Sequence, residues 1–592
     1  MTALIIAVVG LLGVAGAAVF AARLRVAAPL ILVVVGIGVS FLPFVPAVEV
    51  EPEWILAGVL PPLLYATAVS VPSMNFRREL NSIGGLSVVL VVLSAFLMGV
   101  FFMLVIPDLG FWWGVALGAI VSPTDAVATS IVKKSGVSGR VVSVLEGESL
   151  LNDATALVLL RAAIAGAAGA VSFWGVVGNF AYAVLIAAVF GVIVGELNLW
   201  LRSKVTDSTV NTVISFTVPF LASIPAELLG GSGLVAAVIA GLITGHGAAR
   251  RLSPQHRLSD AQNWRTIELI LEGAVFLLMG LELFGLVEEV RDEGGNIWIA
   301  ILISLAALVL VLVVRAAYLT PLLVGLRRRA RRSAAVRPHL DVMQARLQSP
   351  NDSTKALGPG QPLPALGNGR PAPAEDGEPE VISAFPSDGR GRRREFNVDA
   401  ISPRRLQQLA TRVRRGLADI DYLLQAPLGW REGGVLVWAG MRGAVTLAAA
   451  QTLPAETPNR SLLVLIAFFV AAASLLIQGS TLTAFVKWIK PAKPDKQVEA
   501  EERGRIIDYL REVANDVSQA EYGTNARDAA TAAASSPAER KRIWLKIIAA
   551  QRTALLAARD DGIYAAEPLS GALASLDADQ ISIELKGSPV DL

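Results

Sequence analysis

The chain has 592 residues, no cysteine and only three histidines, His246, His256 and His339. The first absence excludes disulfides, thiolate metal sites and a cysteine nucleophile; the second argues against a histidine-built metal site. Charge is scarce as well. Asp, Glu, Lys and Arg make up 17% of the residues against 54% hydrophobic ones, and mean hydropathy is +0.56. A soluble protein of this size would have too little polar surface, so the composition points to a bundle of membrane-spanning helices. The formal net charge is only +2. Basic residues sit in short connections between apolar runs and form no single patch, so a nucleic-acid partner is not expected. The sequence has no His-Glu-x-x-His and no Gly-x-Ser-x-Gly, which leaves an intramembrane enzyme without a motif.

A span needs about 20 apolar residues. Apolar runs mark spans near 2–22, 27–45, 54–72, 83–106, 111–132, 142–165, 174–200, 208–225, 231–247, 266–287, 297–325, 432–454 and 461–487. Met1 to Ala22 lacks a basic leader, and Arg23 and Arg25 follow the run, so it reads as a retained first span. Pro225, Gly230, Gly231 and Gly233 blur the eighth and ninth. The loops test the count. Arg23/Arg25, Arg77/Arg78, Lys133/Lys134/Arg140, Arg202/Lys204, Arg250/Arg251/Arg257 and Arg327 to Arg332 fall in every second connection. Glu49/Glu51/Glu53, Asp108, Glu227, Glu288/Glu289 with Asp292/Glu293, and Glu456 fall in the others. By the positive-inside rule this puts the N-terminus outside and the C-terminus in the cytoplasm. The expected organisation is 1–326 with spans one to eleven, a cytosolic loop at 327–430, two more spans in 431–490, and a cytosolic helical region at 491–592.

The middle of that loop, about 349–400, is rich in Pro, Gly and Arg and reads as disordered. Toward its end Leu406, Leu409, Val413, Leu417, Ile420 and Leu424 recur at spacings of three and four, flanked by Arg404, Arg405, Arg412, Arg414 and Arg415. That pattern fits an amphipathic helix on the inner membrane surface and equally a soluble helix. In the tail, Ser536-Pro537 has the signature of a helix start. No catalytic motif stands out there.

A charge within hydrocarbon is costly and usually functional. With a rise of about 1.5 Å per residue, Asp153 lies roughly 17 Å into the sixth span, near mid-bilayer. Glu148 on the same span, Asp125 in the fifth, Arg315 in the eleventh and Arg442 in the twelfth fall at similar depth. Glu148, Ser149, Asn152 and Asp153 share one helix face and offer hard oxygen ligands, suited to Na⁺. The alternative is a set of interhelical hydrogen bonds. Pro123 in Ser122-Pro123-Thr124-Asp125 removes a donor and frees carbonyls that could bind a cation; a simple kink is the other reading. In Gly440-Met441-Arg442-Gly443 two glycines let a neighbouring helix approach an arginine of structural or functional use. Three acids against two arginines leave one negative charge, which one proton or one Na⁺ would neutralise. Exchange by competition, with no net charge moved, follows from that count. Spans 1–6 and 8–13 read as two inverted six-helix repeats about the seventh, with the Gly/Pro-interrupted fifth and twelfth in equivalent places.

At these residues the chain resembles the monovalent cation:proton antiporter 1 family, of the bacterial NhaP and animal NHE type. Four stretches carry the resemblance, which covers about residues 10–490: Leu60-Pro61-Pro62-Leu63-Leu64 with Pro72 and Phe76-Arg77, Ser122 to Ala128, Gly147 to Asp153, and Gly440 to Val445. It implies an all-α dimer in the cell membrane. A mobile core would contain the crossed, broken fifth and twelfth spans, and a scaffold would comprise about spans 1–3 and 7–10. It implies that Asp153 is the central cation and proton carboxylate, that Thr124, Asp125 and Ser149 help coordinate the ion, that Glu148 pairs with Arg315, and that Arg442 steadies the helix crossing. Asn152-Asp153 matches the Asn-Asp pair of the electroneutral branch. The expectation is therefore electroneutral Na⁺/H⁺ exchange by alternating access, with Na⁺ bound at Asp153 and no cofactor. A K⁺/H⁺ antiporter of the same fold, or one that accepts Li⁺, is the first alternative; a gated cation channel is the second.

Overall fold

The computed structural model describes residues 2–24, 26–42, 51–169, 173–348, 403–493, 496–522 and 537–585, and no strand occurs among them. In chain order the helices are α1 (Thr2–Leu24), α2 (Ala28–Ser40), α3 (Trp54–Ser70), α4 (Ser73–Val105), α5 (Phe111–Val121), α6 (Val127–Lys134), α7 (Gly139–Ala167), α8 (Phe173–Arg202), α9 (Ser208–Leu228) and α10 (Gly233–Arg251). They continue with α11 (Pro254–Leu281), α12 (Leu283–Asp292), α13 (Ile297–Gln348), α14 (Pro403–Gln425), α15 (Trp430–Trp438), α16 (Ala444–Gln451), α17 (Arg460–Ile489), α18 (Lys496–Tyr522), α19 (Pro537–Asp561) and α20 (Ala566–Leu585). Among the described residues, eight stretches are long and apolar enough to cross a membrane, and four shorter apolar helices accompany them. The chain is a multi-pass membrane protein. Every interval that the sequence marks as a span contains a described helix. The fifth and twelfth are not continuous: each is two short helices, α5/α6 and α15/α16, separated by an extended break.

Local chemistry explains the boundaries. Asp207 and Ser253 cap α9 and α11 by accepting from Val210 N at 2.8 Å and His256 N at 3.3 Å. The blurred stretch between the eighth and ninth spans is a tight turn at Gly230, with φ +74°, after a helix that runs unbroken through Pro219 and Pro225. Helices α1–α3 and α8–α11 pack chiefly on one another, and α4–α7, α13 and α15–α17 form a second set. Small residues set the spacing in the first: a Cβ on Gly36 of α2 would lie 2.6 Å from the Leu277 carbonyl oxygen of α11.

The basic and acidic connections gather on opposite faces. On one, Arg78, Arg250 and Arg257 reach the tail helices through Gly562 O, Asp560 and Asp577. On the other, Asn459 Nδ2 donates to Pro107 O at 3.5 Å, and Arg460 lies 3.9 Å from Glu289. Two arginines that read as loop charges are in fact buried. Arg140, 3% exposed, pairs with Glu79 at 2.6 Å, and Arg202, 0% exposed, is held by Asn211, Ser215 and Asp260.

The loop expected from residue 327 begins as helix, because α13 continues to Gln348. On α14, Val413, Leu417 and Ile420 are buried and the helix packs back along α13, so the apolar stripe meets protein and the soluble-helix reading fits better than the membrane-surface one. Residues 349–402 and Ser536 lie outside the described residues. Helices α18–α20 form a small bundle around Ile506, Ile548, Leu555 and Leu576.

Candidate functional site

The two breaks face each other at the centre of the second helix set. Asp125 N donates to Met441 O at 2.7 Å, tying one break to the other. Each break exposes the end of a half-helix, and a helix C-terminus leaves unpaired carbonyls with a partial negative charge. Two arginines supply the partners reciprocally. Arg442, from the α15/α16 break, donates from Nε to Val121 O at 2.9 Å and from Nη2 to Ser122 O at 3.2 Å, covering the end of α5. Arg315, from α13, donates from Nε to Leu436 O at 2.9 Å and covers the last turn of α15. Both guanidinium groups are 2% exposed.

The half-helix N-termini meet a carboxylate. Asp125 Oδ1 accepts from Val127 N at 2.8 Å, at the start of α6. Gly443, the residue before α16, lies so close that a Cβ there would overlap the Asp125 carboxyl. Gly440 has the matching duty on the other side of Arg442, since its Cβ would stand 2.6 Å from Arg315 Nε. The Gly-Met-Arg-Gly spacing therefore lets two charged side chains touch the backbone of the break.

On α7, Glu148 accepts from both terminal nitrogens of Arg315, with Nη2 to Oε2 at 2.8 Å; each partner is 2% exposed. Thr124 Oγ1 donates to Glu148 Oε1 at 3.1 Å, and Asn152 Nδ2 donates to Thr124 Oγ1 at 2.8 Å and to Thr124 O at 3.1 Å. Asn152 thus holds the break with its amide nitrogen. Its buried Oδ1 has no hydrogen-bond partner, and Asn152 is not among the cavity-lining residues. Ser149 Oγ donates to Glu146 O at 3.2 Å.

A cavity of about 120 Å³ opens beside these groups, lined by Thr124, Asp125, Ser149 and Asp153 from the second set and by residues of α3 and α11 from the first. Asp153 is 8% exposed, and no donor engages its carboxylate among the described residues. The cavity is polar toward the tail-bearing face, where exposed Ser130, half-buried Thr67 and Glu268 line it, and apolar toward the opposite face, where Leu60, Val275 and Phe276 line it. A larger hollow of about 420 Å³ on the outer side of α9 has only Thr217 among six apolar residues and no charge, so it offers nothing to an ion.

Of the residues singled out in the sequence, the structure brings Glu148, Arg315, Thr124 and Asn152 into one hydrogen-bonded group. Asp125, Ser149 and Asp153 face the cavity, and Arg442 lies behind the break. Two residues were missed. Glu268 and Glu272 of α11 line the same cavity. Their spacing of four within an apolar run puts them on one helix face, which was the available signal. The count of one uncompensated negative charge is corrected accordingly: five acids now stand against Arg315 and Arg442, an excess of three. Among the described residues, no three acidic or histidine side chains converge to hold a metal ion.

A family model described as the transmembrane sodium/hydrogen exchanger matches residues 4–338 and 411–488. The chain is 34% identical over 302 residues to an uncharacterized Na⁺/H⁺ exchanger, YjcE, of Escherichia coli, a match covering 48% of this chain and 55% of that protein. It is 24% identical over 597 residues to an uncharacterized Na⁺/H⁺ exchanger, Rv2287, of Mycobacterium tuberculosis, covering 95% and 92%. It is 29% identical over 293 residues to the Na⁺/H⁺ antiporter ApNhaP of Aphanothece halophytica, covering 48% and 53%. The chain thus spans about half the length of the first and third relatives and nearly all of the second. Among solved structures, the sodium proton antiporter MjNhaP1 of Methanocaldococcus jannaschii at pH 8 superposes with a TM-score of 0.51 at 14% identity, covering 83% of this chain and 99% of that one. That likeness establishes the shared fold.

Proposed function

The chain belongs to the sodium/hydrogen exchanger family, and from that premise we propose that it exchanges Na⁺ for H⁺ electroneutrally, the two competing for Asp153. One observation carries the reading: Asp153 is a buried carboxylate on a cavity wall with no donor to neutralise it. Holding a bare charge there costs several kcal/mol, by the general expense of burying an ion, so the group binds either a proton or a cation. Thr124, Asp125 and Ser149 line the same cavity and supply further oxygens. Glu148 is already neutralised by Arg315 and takes no part in binding. Asn152 fixes Thr124 with its amide nitrogen, and its expected role as a ligand rests on the Oδ1 that has no partner.

The cycle alternates access by moving the second helix set against the first. The polar lining toward the tail-bearing face, cytoplasmic by the positive-inside reading, supports access from that side, and the apolar lining of Phe276 and Leu60 supports closure toward the other. A single buried site with an uncompensated carboxylate is the argument against a continuously open channel. The protein works as a homodimer in the cell membrane and uses no cofactor. The test is proteoliposome flux with the membrane potential clamped by an ionophore. An imposed Na⁺ gradient should drive proton movement independently of potential, and Asp153→Asn should abolish it while leaving a monodisperse protein. Vigorous Na⁺-coupled proton flux by that variant would end the assignment. K⁺ in place of Na⁺ separates the two cation choices.

A further inference from the structure

The cavity walls come from two helix sets with different chemistry. The second set contributes Asp153 and Asp125; the first contributes Glu272 and Glu268, on α11. No Lys, Arg or His is among the lining residues, and no ion pair or hydrogen bond engages the Glu272 carboxylate among the described residues. The charges acting on Glu272 are Asp125 from the break, Glu268 one turn away, and Lys134 in the last turn of α6. Glu268 stands nearer the polar mouth. Val275 and Phe276, three and four residues further along α11, already belong to the apolar part of the lining. Glu272 is thus the innermost acid of the first set on the path from the tail-bearing face.

We propose that Glu272 is a relay carboxylate, which delivers the monovalent cation to Asp153 from the tail-bearing side and from that side only. This rests on the antiport reading above. The argument is geometric. Helix α11 packs along α2 and also on α1, α3 and α9, with a smaller contact on α16, so its packing assigns it to the first set, whereas Asp153 belongs to α7 of the second; in the alternating-access reading the two sets move relative to each other. The two carboxylates share a cavity only while that cavity is open to the tail. In the opposite state Asp153 has left the wall that carries Glu272. A carboxylate that exchanges its proton for the entering cation and pairs with it raises that cation's residence on this side alone. Since Glu272 does not cross the membrane, its charge leaves the exchange ratio unchanged. The scattered placement of the acids, none of them in a converging metal cluster, suits a hydrated monovalent ion passed between single carboxylates.

The experiment uses the full chain in sealed vesicles of defined orientation, with Na⁺ varied on one face at a time. Glu272→Gln is close to isosteric and removes only the charge. It should raise the half-saturating Na⁺ concentration on the tail side by about tenfold, leave the value on the other side within about twofold, and preserve one-for-one coupling. Glu272→Asp keeps the charge on a shorter arm and should recover most of the tail-side affinity. It also serves as the readout if the glutamine variant does not fold. Equal changes on both faces, or none on either, would refute the relay and assign Glu272 a packing role. The antiport reading fails separately, by the wild-type chain showing no Na⁺-coupled proton flux.

Discussion

The pair between Glu148 and Arg315 joins two helices, the break and the end of a half-helix, so its removal is the sharpest test of how the site is held. Both partners are 2% exposed, and the contact is bidentate. Breaking a buried pair by deleting one partner costs about 3–5 kcal/mol, because the survivor stays desolvated without its counter-charge. The two deletions are not equivalent. Glu148→Gln keeps an oxygen for Thr124 and for one guanidinium nitrogen. Arg315→Gln strands Glu148 and also uncovers Leu436 O at the end of α15. Arg315→Gln should therefore be the worse by about 1–2 kcal/mol, the cost of an unmet buried acceptor. The double variant removes both charges together and should cost less than the two single losses combined, with a coupling energy on the order of 2 kcal/mol. Detergent-solubilised protein titrated with denaturant and followed by tryptophan fluorescence gives all four corners of the cycle. Additive losses, with coupling below about 0.5 kcal/mol, would mean that the pair does not hold the crossing together.

Two further outcomes follow from contacts already described. Gly443→Ala drives a methyl group into the Asp125 carboxyl, so the chain should still assemble but lose at least about tenfold in exchange rate, through a break displaced by a fraction of an ångström; unchanged flux would show the close approach to be dispensable. The tail docks through Arg250–Asp560 and Arg257–Asp577, both partly exposed. The first is worth about 1 kcal/mol or less and is screened by salt; the second is bidentate, shared with Arg552 and more sheltered, so it is screened less. Asp560→Asn combined with Asp577→Asn should speed limited proteolysis between α17 and α18, and high salt should do the same to the unaltered chain; equal cleavage in all three cases would count against electrostatic docking.

What could be read from the sequence was what depends on local pattern. The Gly/Pro interruptions marked both breaks, because a missing N–H or Cβ acts at its own position whatever surrounds it. The shared face of Ser149 and Asp153 followed from helical period. Pairing needed the fold. Nothing in the spacing of Arg442 says that it covers carbonyls of Val121 and Ser122, some 320 residues earlier in the chain. Arg140 and Arg202 looked like loop charges because they follow or end apolar runs, yet each finds a buried acid on another helix, Glu79 and Asp260. Glu268 and Glu272 were legible as an i, i+4 pair within an apolar run, but spacing alone does not say that their face meets the cavity rather than another helix. The destination of the α14 stripe was not legible, because an apolar face looks the same whether lipid or α13 covers it.

The reciprocal capping explains why the site's charge is unbalanced by design of the fold and not by a shortage of bases. Both arginines at the breaks are committed. Arg442 is spent on the carbonyl end of α5, and Arg315 on the end of α15 and on Glu148. Neither can turn toward the cavity without uncovering buried acceptors, each costing about 1–3 kcal/mol. Asp125 is partly offset by the helix start that it caps. Asp153 has no such partner, although it lies five residues from Glu148 on the same helix. Breaking two helices creates partial charges that need full charges to cover them. Once those are placed, the carboxylates left on the cavity wall can be neutralised only by what arrives through its mouth.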